Sequence, residues 1–465
     1  LGNNSSTAIT LCIISADLLT LSTVFAMAVL WRHYLSPAYK LTSYFELFPL
    51  LAMMLGAFWI QGLYPGILLH PAEEMRRISV SVTTVFLVMA CGTFLWRNGE
   101  MYSRSVFLIT WAAGSPMIVL MRYSVRRYFK QFAWWGVPAL ILGSGPAAQR
   151  VARTLRDGRW GIKVVGVLTD DPIPSWPSDL PLVLGPISAA PGFAKGQLSH
   201  YAIVAMPQKS PNDLRHLIQD WCYGFRNVLL VPDMPGICSL GIATREVGGE
   251  VGFEMPQRLF QRGPAIAKRS LDLVLSLAGI LVLSPVFLLL AIAIKVTSRG
   301  SVLYGQTRYG KGGKIFKALK FRSMIPNADG LLTKYLADHP ECLFEWQRDH
   351  KLKTDPRVTP IGQWLRRVSL DELPQLFNVL AGQMSLVGPR PIVKAEIEKY
   401  GRRYRLYSRV RPGITGLWQV SGRNNTTYDE RIALDEYYVH NWSVWFDAYI
   451  LLRTVKTVLR GEGAY

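Results

Sequence analysis

A chain of 465 residues is too long for one ordinary domain, and its length leads us to expect about three. Half of the residues are hydrophobic and only 18% are charged, a balance that suits a protein lying partly in lipid and partly in water. The net charge of +20 calls for an anionic partner (a membrane surface, nucleic acid or a phosphorylated substrate), while five scattered cysteines without a Cys-x-x-Cys pair argue against a disulfide framework or a zinc site.

Four apolar stretches open the chain: Ala8–Trp31, Tyr44–Tyr64, Ile78–Trp96 and Val106–Met121. Each approaches the ~20 residues that a membrane helix needs, so residues 1–130 read as a four-helix transmembrane bundle. Asp17 lies within the first stretch and is expected to pack against a polar neighbour. Arg122, Arg126, Arg127 and Lys130 follow the fourth and place that end in the cytoplasm; an Arg76–Arg77 loop falls on the same side. Trp134 and Trp135 are expected at the membrane surface.

From Val137 the pattern changes. "VPALIL", "KVVGVLTDD", "YAIVAMPQ" and "NVLLVPD" read as buried strands, so residues 131–262 form a Rossmann-like α/β domain with a parallel sheet. Gly143, Gly145 and Ala148 match G-x-G-x-x-A, with Asp170 or Asp171 as the ribose acid of a dinucleotide site. A tight strand-to-helix turn needs the same glycines with no ligand.

The third part, residues 263–465, opens with a fifth apolar segment. Lys268 and Arg269 precede it and Lys295 and Arg299 follow it, so both ends read as cytoplasmic. Ser284–Pro285 sits in its middle, where proline removes a backbone hydrogen bond. Residues 271–294 are therefore expected to form a re-entrant membrane helix; a kinked spanning helix is the alternative. Residues 329–351 read as an amphipathic helix that rests on the membrane or on its own domain.

"SLDELPQLFNVLAGQMSLVGPRP", residues 369–391, carries the chemistry. Ser369-x-x-Glu372 reads as a capping box, or Pro374 opens the helix; both put Asp371 and Glu372 near a helix N-terminus. Arg366, Arg367, Arg390, Arg411 and Arg423 stand beside turn-forming or rigid residues, which hold them in place. Arginine forks match phosphate oxygens, and adjacent acids suit the Mg²⁺ that accompanies diphosphates. The combination fits phosphoryl transfer between a soluble and a lipid phosphate.

"KALKFRSM", the stretch just quoted and "RPGITGLWQVSGR" resemble the motifs of the bacterial sugar transferases, the monotopic phosphoglycosyl transferases. The likeness runs from about Lys268 to the C-terminus, and the whole layout is similar to the large members with four membrane helices. The resemblance implies a mainly α catalytic domain on the cytoplasmic face of the bacterial inner membrane. It makes Asp371 the nucleophile and Glu372 its partner, both close to Mg²⁺. It turns Arg366, Arg390 and Arg423 toward the substrate phosphates, with Lys320 near the active site; Arg322, Arg367 and Arg411 complete the expected basic set. Lys268, Arg269, Ser284 and Pro285 become the membrane anchor. The partners implied are a UDP-hexose (galactose foremost), undecaprenyl phosphate and the membrane, and no nucleic acid; a homodimer through the bundle or the α/β domain is compatible with the sequence, which does not itself define the oligomeric state. Gln383 departs from the family pattern, where an acid is expected.

Two rivals come from other classes. A membrane-tethered NAD-dependent nucleotide-sugar dehydratase or epimerase needs Tyr-x-x-x-Lys, which Val137–Phe260 lacks. A non-catalytic scaffold of polysaccharide assembly leaves Asp371 and the fixed arginines without purpose.

Overall fold

The computed structural model describes residues 2–36, 44, 48–95, 103–132, 134–171, 176–195, 200–233, 240, 242–248, 250–325, 328–339, 355–422 and 426–460. They fall into two units, residues 1–235 and 236–465.

The first unit begins with helices α1 (Gly2–Leu35), α2 (Phe48–Ile60), α3 (Pro71–Leu95) and α4 (Arg104–Phe129). Within α1, α3 and α4, long apolar segments suffice to cross a membrane. The described part of the second predicted span is α2, 13 residues from Phe48; residues 45–47 lie outside the described residues. The predicted Arg76–Arg77 loop is instead the start of α3, where both guanidiniums bond to Glu73. A proline at the first position and acids in the first turn favour that helix start. Trp135 also departs from expectation: it is buried with Val137 and Ile13 in the unit's apolar core.

Charge, not only apolar packing, holds these helices. Asp17 of α1 is fully buried and accepts from Nε of Arg122 in α4 at 2.9 Å. The Tyr64 hydroxyl donates to the same carboxylate at 2.8 Å. Glu74 of α3 accepts from Arg122 at 3.0 Å and from Arg126 at 2.8 Å. The expected polar neighbour of Asp17 is thus Arg122, a residue that topology counting reads as a free cytoplasmic charge. Two carboxylates face two guanidiniums, so the cluster is neutral, as a site without water requires.

Beyond the helices, β1 (Val137–Leu142), β2 (Ile162–Leu168), β3 (Val183–Gly185), β4 (Tyr201–Val204) and β5 (Asn227–Leu230) form one parallel sheet in the order β3-β2-β1-β4-β5. This is the doubly wound arrangement expected, but β5, read as a buried strand, is exposed along its length because it lies at the sheet edge. α5 (Pro146–Leu155), α6 (Ala190–Lys195) and α7 (Pro211–Trp221) complete it. Gly143 ends β1 at φ +109°, and a Cβ there would meet Met206 at 2.5 Å. Packing alone therefore demands this glycine. Asp170, one candidate ribose acid, accepts the N–H of Ile187 at 2.9 Å and caps a short 3-10 turn.

The second unit contains the hairpin β6–β7 (Ala243–Val247 and Glu250–Glu254), the 36-residue helix α8 (Arg262–Thr297) and the hairpin β8–β9 (Leu303–Tyr309 and Ile315–Phe321). Helix α9 (Ala328–Asp338) covers the start of the predicted amphipathic segment; residues 340–354 lie outside the described residues. Helix α8 runs on through Ser284–Pro285, where the serine hydroxyl bonds to the Leu281 carbonyl. Much of its outer surface is bare and apolar, with Leu281, Val282, Leu288, Leu289 and Val296 more than 60% exposed.

Both ends of α8 are fixed to the rest of this unit. Near its start, Lys268 bonds to Asp447 at 2.7 Å, and Asp272 accepts from the Ser385 hydroxyl at 2.7 Å and the Leu386 N–H at 3.2 Å. Arg269 donates to the carbonyls of Val379 and Leu380. Near its end, Leu290 and Ile294 pack on Phe321 and Leu365, and Arg322 holds the Ser298 carbonyl and hydroxyl. Lys268 and Arg269, expected as headgroup anchors, are therefore engaged within the domain.

Replacing Arg122 with Met strands Asp17 and Glu74 beside a single remaining guanidinium. The expected cost is about 3–5 kcal/mol, read by thermal unfolding in detergent. Tyr64→Phe is expected to cost only about 1 kcal/mol. Equal effects of the two changes would contradict a bundle held by charge pairing.

Candidate active site

The dyad sits at an abrupt change of direction. The helix Pro360–Arg367 begins with Thr359, whose side chain accepts the Gly362 N–H at 3.0 Å. It ends at Ser369, which has φ 56° and ψ 21° and donates its N–H to the Arg366 carbonyl. The predicted capping box is absent. A left-handed residue that terminates one helix cannot hold the extended backbone of an N-cap for the next. Leu370–Glu372 form a 3-10 turn, and the helix Gln375–Leu380 starts after Pro374, as the alternative reading has it. Asp371 and Glu372 thus lie in a turn held between two helices. A left-handed serine costs roughly 1–2 kcal/mol over glycine, strain of a kind that gathers at functional sites.

Three of the expected cations converge on this turn. Lys320, on β9, bonds to Oε1 of Glu372 at 2.7 Å. Arg366 donates Nε to the Ser323 hydroxyl at 2.9 Å and lies close enough to Asp371 for their charges to interact. Arg390 acts on Glu372 from the loop Gly388–Pro391, and its guanidinium lies over the Trp418 ring at 5.2 Å. That loop is set by backbone contact. Gly388 donates to the Thr415 carbonyl and Gly413 to the Pro389 carbonyl, and a Cβ on Gly413 would stand 2.1 Å from the Gly388 nitrogen. The "GPRP" and "RPGITG" motifs are thereby locked to each other through glycine.

The other basic residues do different work. Arg411 donates to the Gly382 carbonyl just past the helix Gln375–Leu380, and Arg322 is engaged at the end of α8. Arg367 is exposed at the end of its helix. Arg423 lies outside the described residues. Sequence reasoning missed Arg308 on β8. Its guanidinium bonds to Gln306 at 2.8 Å, approaches Glu396 at 3.9 Å and acts on Glu372 beside Arg390. The available signal was strand alternation, which sets Gln306 and Arg308 on one face of β8. Asp435 was missed too: it is buried, accepts from the Tyr400 hydroxyl at 2.8 Å, and is pushed up to about 7 by burial.

The two acids titrate apart. Burial pushes the Asp371 carboxyl up to about 6, with the Glu372 charge adding to the shift while Lys320 and Arg366 oppose it. Burial acts on Glu372 as well, but Lys320, Arg390 and Arg308 outweigh it and hold that carboxyl below its ordinary value. Neighbouring acids with opposed shifts suit divided roles in catalysis. A further cation beside Asp371 would favour its ionised form against burial, as Lys320 and Arg366 do. Among the described residues no cluster of three or more His, Cys, Asp or Glu side chains forms a closed metal cage. An ion here would draw its remaining ligands from substrate oxygens, as Mg²⁺ does with diphosphates.

Paired acids ringed by positioned cations, on a domain bound to a long apolar helix, define a membrane-held group-transfer enzyme. Comparison with known proteins gives the same class. The family described as Bacterial sugar transferase matches residues 263–461, and one described as CoA-binding domain matches residues 60–232. An undecaprenyl-phosphate galactose phosphotransferase of Salmonella typhimurium is 34% identical over 431 residues, covering 90% of this chain and 88% of the relative. A UDP-glucose:undecaprenyl-phosphate glucose-1-phosphate transferase of Escherichia coli is 31% identical over 395 residues, covering 82% and 81%. The exopolysaccharide production protein ExoY of Sinorhizobium fredii is 46% identical over 215 residues, 46% of this chain but 95% of its own length. The chain belongs to the bacterial sugar transferase family and is a membrane-associated transferase.

Ser369→Gly is expected to stabilise the chain by about 1 kcal/mol, because glycine takes the left-handed turn without steric cost. Ser369→Val should lose at least as much. Urea titration of the detergent-solubilised chain checks both, and a destabilised glycine variant would remove the strain argument.

Proposed function

We propose that the chain transfers a hexose 1-phosphate from a UDP-hexose to undecaprenyl phosphate and releases UMP, as the first step of O-antigen or other surface polysaccharide synthesis. The observation that carries this reading is the Asp371–Glu372 turn with Lys320, Arg366, Arg390 and Arg308 around it. The names of the relatives supply both substrates; galactose stands in one and glucose in another, and galactose is the sugar we propose.

An Asp371 oxygen attacks the β-phosphorus. The bond from that phosphorus to the bridging oxygen breaks, and its electron pair departs with UMP. The product is a phosphoryl-aspartate that carries the hexose. An oxygen of the lipid phosphate then attacks the same phosphorus and frees Asp371, giving undecaprenyl diphosphate-hexose. Lys320, Arg366 and Arg390 neutralise charge that builds on the phosphoryl oxygens. Asp371 and Glu372 would hold Mg²⁺, which supplies further neutralisation of the diphosphate when bound.

Helix α8 is proposed to bend at Pro285, so that it enters the membrane and returns on one side, with the catalytic domain at the cytoplasmic face of the inner membrane. What supports this is attachment at both ends: Lys268 and Asp272 near one end, and Ser298 just past the other, bond to the same domain. A polar domain cannot lie on both sides of a bilayer at once. The apolar outer face between those attachments is left to lipid.

Asp371→Asn is expected to abolish turnover, and radiolabelled UDP-hexose without lipid acceptor should label the wild-type chain but not the variant. Normal turnover by the asparagine variant would end the covalent mechanism. Because the Asp371 carboxyl is pushed up to about 6, the reactive carboxylate persists above that pH and is lost below it. The kcat/KM profile should therefore fall as pH drops through about 6; a flat profile down to pH 5 would contradict this assignment. For topology, single cysteines at Ser270 and Arg299, both exposed, should resist a membrane-impermeant thiol reagent in intact cells and react after permeabilisation. External labelling of Arg299→Cys alone would mean that α8 crosses.

A further inference from the structure

We infer that Trp418, Tyr428 and Arg431 form an oxyanion subsite that receives the phosphate of the departing nucleotide. The inference rests on the transferase reading above and gives that site a second compartment. Among the described residues, three buried donors there have no hydrogen-bond partner, Nε1 of Trp418, Nε of Arg431 and the hydroxyl of Tyr428, and Oδ1 of Asp435, one turn beyond Arg431, has none either. Native structures leave few such groups unpaired, and several in one neighbourhood point to an absent acceptor. Tyr428 and Arg431 stand one turn apart on the helix Tyr428–Asn441, so they share a face. The start of that helix is fixed by a reciprocal cap between Thr427 and Glu430.

Two guanidiniums stand over the indole, while the carboxylates of Glu396 and Asp435 act on Tyr428. The guanidiniums of Arg390 and Arg431 lie 5.2 and 4.9 Å from the Trp418 ring centre, and Nζ of Lys399 lies 5.0 Å from the Tyr428 ring. An indole N–H and a guanidinium can only donate. Their complement is a group that only accepts, which a phosphate is and a sugar hydroxyl is not. Arg390 serves both places, since it acts on Glu372 on one side and stacks on Trp418 on the other. Lys320 and Arg366 flank the dyad itself. A diphosphate therefore finds its β-phosphate at Asp371 and its second phosphate beyond Arg390, where charge builds as UMP leaves.

The test is calorimetry of UMP and of uridine with the full chain in lipid nanodiscs. Arg431→Ala should weaken UMP by about tenfold or more and Tyr428→Phe by about threefold, with uridine bound equally by all. Tyr428→Phe removes only an oxygen, so it keeps the result readable if the alanine variant folds poorly. Unchanged UMP affinity in both variants overturns the subsite. Parallel losses for uridine and UMP overturn it in favour of a base pocket. A raised KM for undecaprenyl phosphate with UMP unaffected overturns it in favour of the lipid phosphate. If the chain shows the expected UMP affinities yet releases no UMP from any UDP-hexose, the transferase reading fails and the subsite stands.

Discussion

A carboxylate set in an apolar helix organises the second unit. Asp272 is buried on α8, and a buried charge must be paired and hydrogen-bonded or it destabilises the fold. It meets that demand through the Ser385 hydroxyl, the Leu386 N–H and, at 3.4 Å, Lys268. Ser385 opens the strand Ser385–Val387, which pairs in parallel with Gly413–Thr415 and leads directly into the Arg390 loop. One turn of the same helix also carries Arg269, which secures the last carbonyls of the helix that follows the dyad. The acid dyad and the Arg390 loop therefore take their positions from two residues one turn apart on one membrane-type helix. Lys268 completes the arrangement by drawing in Asp447, whose carboxylate also takes the Tyr438 hydroxyl and the Trp442 indole.

How far the sequence could be read depended on what kind of constraint each residue obeys. The parallel sheet was legible because buried strands are continuous apolar runs, as β1 and β4 are. The rigid loop around Arg390 was legible because proline and glycine limit its backbone, and Pro374 marked where the helix after the dyad begins. Partner choice was not. An arginine beside a glycine reads as fixed, but nothing local says to what: Arg411 and Arg322 hold carbonyl groups, while Arg366 and Arg390 face the acids. The capping box failed for a related reason, since the backbone of Ser369 is set by the helix before it. Arg308 escaped notice because a lone arginine in a strand has no motif until the hairpin places it beside Glu396.

Counting charges met the same limit. Arg122 and Arg126 were read as a cytoplasmic signal, yet both are spent on Asp17 and Glu74 within the bundle. Lys268 and Arg269 likewise bond inside their own domain. Each such acid–base pair is neutral and already cancels in the count, so it neither adds to the excess of +20 nor subtracts from it.

The pairing of Lys268 also bears on how the chain is made. Its partner Asp447 lies 179 residues further along. At ~5–20 residues per second, synthesis needs roughly 10–35 s to reach it. Through that interval α8 is already out of the ribosome with its apolar face uncovered. Asp272 is the counter-charge available from the start, one turn away on the same helix. The nascent segment thus meets the bilayer as a locally neutral pair. When Ser385 and Asp447 emerge they join the pair, which persists at 3.4 Å, and fix the helix to its domain.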